Sequence, residues 1–341
     1  MSGKPNCELG SAKPTVMVDV GACTDVGPGR AQNQDAVVVP GAVGLGPRGS
    51  VAWSGQVPPA GVTTAVVDGM GGHAGGAEAA AMVAAALVTV RPAHPGGTLD
   101  GDDGLDPNAE WAVRYSGAQV FTDAAWCGST TVEDTLAAAW KAWFEGLSAR
   151  VQAAGEALGT PEMGATTAVL GVTERGVTVV NVGDCRVYWL NHGRLGPLST
   201  DDRTGDPRSS TVTQAIGGSK RIDPHFYPIA PHPPGSTRFV LCSDGVWGAL
   251  DQGALRDLSA AGGRPEQVAE AIVQGACRAG ARDNCSAVVA DVHVGPPELG
   301  QPGLGGEDIA AGAAFPVPAE QPPARQTRRW AWGTRTRGDE L

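Results

Sequence analysis

Three short motifs set an aspartate against an apolar run: Asp68-Gly69-Met70-Gly71-Gly72-His73 after 62–67, Ser243-Asp244-Gly245 after 239–242, and Asp283-Asn284 shortly before 288–294. A fourth, Thr24-Asp25-Val26-Gly27-Pro28-Gly29-Arg30-Ala31-Gln32-Asn33-Gln34-Asp35, follows the apolar run 16–22. A carboxylate at the end of a buried strand loses its water, and clustered hard oxygen ligands offset that loss best by binding a divalent cation. Taken singly, each motif reads as a tight turn, because Asp and Gly both accept corner backbone angles. Four strand-end acids in one chain point instead to a metal enzyme. Oxygen-only ligation selects Mg²⁺ or Mn²⁺ over zinc.

These acids need strands to hold them, and the hydrophobic pattern supplies candidates at 16–23, 36–39, 62–67, 166–172, 177–182, 186–190, 237–242 and 285–294. Residues 41–60 are rich in Gly and Pro and read as a long hairpin connection. The formal G-x-G-x-x-G match at 44–49 lies there with no helical pattern after it, so a dinucleotide site is not supported. Helices are expected over 78–91 and 132–158, the latter with Leu136, Trp140, Trp143, Phe144 and Leu147 on one face, and again near 250–258 and over 265–278. Strand-rich segments interleaved with paired helices imply an α+β fold of packed antiparallel sheets covered by helices. Residues 1–14 read as a flexible N-terminus and 15–295 as one catalytic domain with insertions near 41–60 and 94–130. The Pro/Gly/Ala-rich stretch 296–341 reads as a disordered tail with a basic end, where Arg328 and Arg329 adjoin Trp330 and Trp332.

At 341 residues the chain can bury a large core. A net charge of −11 argues against general binding to nucleic acid or anionic membranes. The seven cysteines form no C-x-x-C pair, which excludes zinc-knuckle and thioredoxin motifs; Cys185, Cys242 and Cys285, close to the acids, read as small core residues. No apolar stretch approaches the roughly 20 residues of a membrane helix. The expectation is a cytoplasmic, monomeric protein.

The order T-D-x-G-x-x-R-x-x-N-Q-D, D-G-M-G-G-H-A-G-G, G-A-T-T, N-V-G-D-C-R, L-C-S-D-G-V-W and D-N-C-S-A-V-V, spread over 16–294, resembles the bacterial form of the metal-dependent serine/threonine protein phosphatases of type 2C. The resemblance implies a four-layer α-β-β-α sandwich with two antiparallel sheets around a binuclear metal site. It implies that Asp68 bridges two ions, that the Gly69 carbonyl serves one and Asp244 and Asp283 the other, and that Asp35 acts directly or through water. Two metal ions can together supply a nucleophile at neutral pH and clamp the phosphoryl oxygens. Arg30 offers a planar fork to two phosphate oxygens, and His73, on its glycine-rich loop, is placed to protonate the leaving alkoxide. Asn33, Thr166 and Asn284 are expected to orient these groups.

The chain departs from the family pattern in two places. Gly248 stands where relatives carry an acid that helps hold a third ion, so the third site, left with Asp184 and Asp244, is expected to be weak unless Asp201 or Asp206 substitutes. The flap between the G-D-C-R hairpin and Thr213-Gln214-Ala215-Ile216-Gly217 is short, spanning only 198–212. The leading expectation is a phosphatase for phosphoserine and phosphothreonine proteins, opposing a serine/threonine kinase or acting on its targets. The alternatives are a weakly active phosphoprotein-binding module and a hydrolase of small phosphoesters.

Overall fold

The structure, a computed structural model, describes residues 15–71, 75–93, 95, 130–204, 211–219, 221–229, 232 and 235–295. The expectations for 1–14, for most of 94–130 and for 296–341 fall outside the described residues. Among those described are β1 (Thr15–Asp25), β2 (Asp35–Val39), β3 (Ala42–Gly44), β4 (Arg48–Gln56), β5 (Val62–Met70) and α1 (Gly75–Leu87). They continue as α2 (Thr130–Leu158), β6 (Gly164–Val172), β7 (Val177–Val182), β8 (Arg186–Asn191), β9 (Arg194–Pro197), β10 (His225–Ile229) and β11 (Gly235–Cys242). The short α3 (Asp244–Trp247), α4 (Gln252–Ala260), α5 (Pro265–Arg278) and β12 (Cys285–Gly295) complete the order.

The strands form two six-stranded sheets, β4-β1-β12-β11-β8-β9 and β10-β7-β6-β5-β2-β3, whose pairings are all antiparallel. Because successive side chains in a strand point to opposite faces, the inner strands feed two cores. Val37 and Val39 of β2, Val66 of β5, Phe239 and Leu241 of β11, and Val288 and Ala290 of β12 meet between the sheets. Their neighbours turn outward. Ala36, Val38, Ala65 and Val67 pack under α1 and α2 with Trp140, Phe144 and Leu147; Val240, Cys242, Ala287 and Val289 pack under α4 and α5 with Leu255, Ile272 and Val273. The result is helix, sheet, sheet, helix, the expected four layers.

The main correction concerns 41–60. It is not a bare connection: β3 hairpins onto β2, and β4 crosses to the other sheet to pair along β1 from Met17↔Gln56 to Asp25↔Arg48. The strand is a half-exposed edge whose Val51 and Trp53 alone turn to the core, so its period-two signal is diluted by Gly49, Ser50, Ser54 and Gly55. Strands β9 and β10 and helix α3 also went unread, being four or five residues long.

Candidate metal centre

The site lies where the seam between the sheets changes from aliphatic to polar. The faces carrying Val37, Val66, Leu170, Leu241 and Val288 extend, two residues at a time, to Asp35, Asp68, Thr166, Ser243 and Ser286. Asp35 and Asp68 stand opposite each other in the β2–β5 register, and Asp68 stands opposite Thr166 in β5–β6. Asp35 is buried, and its Oδ2 accepts from Ser243 Oγ at 2.8 Å and Ser286 Oγ at 2.7 Å. Ser286 Oγ in turn meets Thr24 Oγ1 at 2.7 Å.

The loops that close the site are tied together by asparagines. Asn284 Oδ1 accepts from the Gln34 amide at 2.9 Å, while its Nδ2 donates to the Val26 and Gln32 carbonyls at 2.8 and 3.0 Å. Asn33 Nδ2 donates to Thr24 Oγ1 and to the Gly46 carbonyl. Thr166 instead faces Cys185, at 3.3 Å between Oγ1 and Sγ. Backbones approach closely here: a Cβ on Gly69 would fall 2.0 Å from the Gly76 carbonyl oxygen, and one on Gly245 1.9 Å from that of Asn284. Only glycine lets the first turn of α1 and of α3 sit against the site.

Asp68, Asp244 and Asp283 are half-buried at the mouth, and Asp184 is buried beside them. Loss of water, then the charges of Asp35, Asp244, Asp283 and Asp184, push the Asp68 carboxyl well above the usual range. Burial likewise raises Asp35 to about 7 against the bonds from Ser286 and Ser243, and raises Asp244 to about 7 with the help of Asp184 and Asp283. Asp184 is raised by burial to about 6, with Arg203 acting in the opposite direction. Arg30 Nη2 bonds to Asp283 Oδ2, joining the expected clamp to an expected ligand.

A hard cation fits this arrangement. The donors are carboxylates that repel one another, and Asp244 Oδ1 is buried without a hydrogen-bond partner. Among the described residues no three His, Cys, Asp or Glu side chains are grouped so as to hold an ion as they stand, and Asp283 is turned to Arg30. The acids therefore suit an ion that keeps part of its water, as Mg²⁺ does.

Arg30, Asp35, Asp68, Gly69, Asp244, Asp283 and Asp184 are thus gathered at one end of the sandwich. His73 lies outside the described residues, as does Asp206. Asp201 is gripped by Arg186, with Nη2 at 2.7 Å from Oδ2 and Nε at 3.0 Å from Oδ1. Sequence reasoning gave no role to Ser243 or Ser286, although both stand inside quoted motifs, nor to Arg203 and Trp247. The buried cysteines 185 and 242 are core residues, their thiols pushed up by burial, Cys242 to about 12.

Comparison with known proteins accords with this architecture. The serine/threonine protein phosphatase PstP of Mycobacterium tuberculosis is 27% identical over 300 residues, covering 82% of this chain and 46% of its own length. The chain thus spans about half the length of the curated relatives it matches. Among solved structures, PppA, described as a key regulatory component of T6SS in Pseudomonas aeruginosa, superposes with a TM-score of 0.57 at 23% identity, covering 81% of this chain and 97% of its own. The catalytic domain of PstP in complex with 2 manganese ions gives a TM-score of 0.55 at 24% identity, covering 82% of this chain and 100% of its own. Residues 52–270, well over half of the sequence, match the family described as Protein phosphatase 2C, and the chain belongs to that family.

Proposed function

We propose that this chain is a metal-dependent phosphatase that hydrolyses phosphoserine and phosphothreonine on proteins, opposing a serine/threonine kinase. The observation that carries the reading is the convergence of Asp35, Asp68, Asp244 and Asp283 with Arg30 at the open end of the inter-sheet seam, in a member of the protein phosphatase 2C family.

Phosphoryl transfer asks the protein for positioning and for neutralisation of charge more than for covalent chemistry. Bound divalent ions, two of Mn²⁺ or Mg²⁺ in this reading, supply Lewis acidity and a nucleophile from water. Asp68, Asp244, Asp283 and the Gly69 carbonyl would hold them, and Asp35 would act directly or through water. The serines on Asp35 keep its charge turned to the ions. Arg30 takes two phosphate oxygens on its guanidinium fork, and its bond to Asp283 sets the fork's distance from the metal acids. His73 gives the leaving serine or threonine oxygen its proton. Asn284 fixes the Arg30-bearing loop to the Asp283 loop, so clamp and ligand move together.

The test is hydrolysis of p-nitrophenyl phosphate and of a phosphothreonine peptide, compared with nucleotide and sugar phosphates, with Mn²⁺, with Mg²⁺ and after chelation. Turnover of the peptide with either ion and none after chelation is the expected result. Full activity after thorough chelation, or a preference for the small phosphoesters, would overturn the reading.

A further inference from the structure

Beside Asp184 the structure holds a cation of its own. Arg203 Nη1 lies 3.8 Å from Asp184 Oδ2, with the arginine side chain 23% and the aspartate 4% exposed. The guanidinium also stands over the Trp247 ring, 5.0 Å from its centroid, and Arg186 stands over the same ring at 3.7 Å. Trp247 Nε1 donates to the Asp184 carbonyl at 3.0 Å, so ring, acid and arginine form one packed unit.

The backbone under Arg203 is pinned. Arg203 bridges to Val212, the Asp202 amide donates to the Gly183 carbonyl at 2.9 Å, and the Thr213 amide donates to the Asp202 carbonyl at 2.7 Å. The Asp202 carboxylate accepts from the Gly183 amide and Gln214 Nε2 and meets His225 Nε2, at 2.8, 2.7 and 2.8 Å. The base of the short flap is therefore a fixed mount for the arginine. Its charge bears on both Asp184 and Asp244, lowering the proton affinity of each.

A third divalent ion between those two acids would have to complete its shell with water, a weak site from which a neighbouring fixed cation excludes it. Position 248 offers no oxygen donor, since it is glycine, and a Cβ there would fall 2.7 Å from the Asp244 carbonyl oxygen. Asp201 is spent on Arg186. We propose that Arg203 is a built-in cation that takes the place of a third divalent ion beside Asp184 and Asp244, making it a positioning residue that couples the flap base to the metal centre. This rests on the two-ion phosphatase reading above. It predicts an enzyme that is complete with two ions.

The test is calorimetric titration with Mn²⁺ of the full chain, its R203Q, R203A and R203K variants, and the R203Q/D184N double variant. The wild type should saturate at two ions, R203Q and R203A should gain a third, R203K should stay at two, and R203Q/D184N should return to two. Arg203→Gln removes the charge but leaves a planar amide on a shorter stem, a smaller loss of packing than Ala, so it carries the test if R203A fails to fold. A tight third ion in the wild type, or two ions in both R203Q and R203A, would overturn the role of Arg203 alone. Fewer than two ions in the wild type would overturn the two-ion reading itself.

Discussion

Asp35 and Asp68 occupy one rung of the antiparallel β2–β5 ladder, so two carboxylates that repel each other share the open end of the inter-sheet seam. Side chains directly opposite in a ladder lie close together, and like charges there are destabilising. Ser243 and Ser286 bond to Asp35, but hydroxyl donors do not cancel the charge. The metal-free site is thus electrostatically frustrated, and it is relieved either by protons or by cations.

That frustration has a sign in pH. Asp35 and Asp244 are raised to about 7 and Asp184 to about 6, against about 3.9 for an unperturbed aspartate. The native state then retains protons that the unfolded chain has released, so its stability is fully present below the unfolded value and is lost as pH rises through the folded values. Thermal unfolding in chelator should show Tm falling from pH 5 to pH 8, by ~2–4 °C for each kcal/mol lost. Mn²⁺ should restore Tm most at the alkaline end, where it competes with fewer protons. A chelated protein whose Tm rises over this range would contradict the burial of these acids.

Asp68→Asn and Asp283→Asn should both abolish measurable turnover, yet shift metal-free stability in opposite directions. Asp68 is opposed by four other carboxylates, so its neutralisation should stabilise the metal-free protein. Asp283 instead has Arg30 as a partner; the pair is partly exposed, at 32% and 28% for the two side chains, so its loss should cost about 1 kcal/mol or less. Denaturant unfolding in chelator measures both. Near-normal turnover in either variant would remove that aspartate from the metal centre.

Much of this was legible in the sequence because the acids sit at the ends of the strands that carry them. Strand β7 and helix α5 were read to the residue, since the run 177–182 is wholly buried and the helix opens on Pro265 with Arg264 and Gln267 as its cap. The site end of the sandwich could be read for the same reason, as Asp35, Asp68 and Ser243 cap continuous apolar runs. Strand β4 could not, because a half-exposed edge has no need of continuous apolar residues. Nor could Arg203, whose meaning comes from Asp184 and Trp247 brought to it by the fold.

Arg30→Ala should raise KM for phosphosubstrates about 10-fold or more with a smaller change in kcat, as one charged hydrogen bond contributes about 1.5–3 kcal/mol. The arginine already has a carboxylate partner in Asp283, so its fork is oriented before substrate arrives. Steady-state kinetics on a phosphothreonine peptide decide the matter. An unchanged KM with a collapsed kcat would place Arg30 in the chemical step instead of in ground-state binding.

The serines behind Asp35 should act on metal affinity through protons. Ser286 Oγ and Ser243 Oγ both donate to Asp35 Oδ2, and each bond holds down a carboxyl that burial raises. Ser286→Ala or Ser243→Ala removes one donor from a charged acceptor, worth about 1.5–3 kcal/mol when buried. The carboxyl then keeps its proton to higher pH and competes more strongly with the cation. Half-saturation by Mn²⁺ should therefore weaken by on the order of 10-fold near pH 6.5, and the gap should narrow toward pH 8.5, where the wild type has lost the proton and the variant is losing it. Ser286→Ala also loses the tie to Thr24, while Ser243→Ala also takes the acceptor from the Ser286 amide, which donates to Ser243 Oγ at 3.1 Å, so each should disturb its neighbours as well. Activity titrations with Mn²⁺ at pH 6.5, 7.5 and 8.5 separate the two effects. A loss of affinity equal at all three would assign the serines to packing and not to the charge state of Asp35.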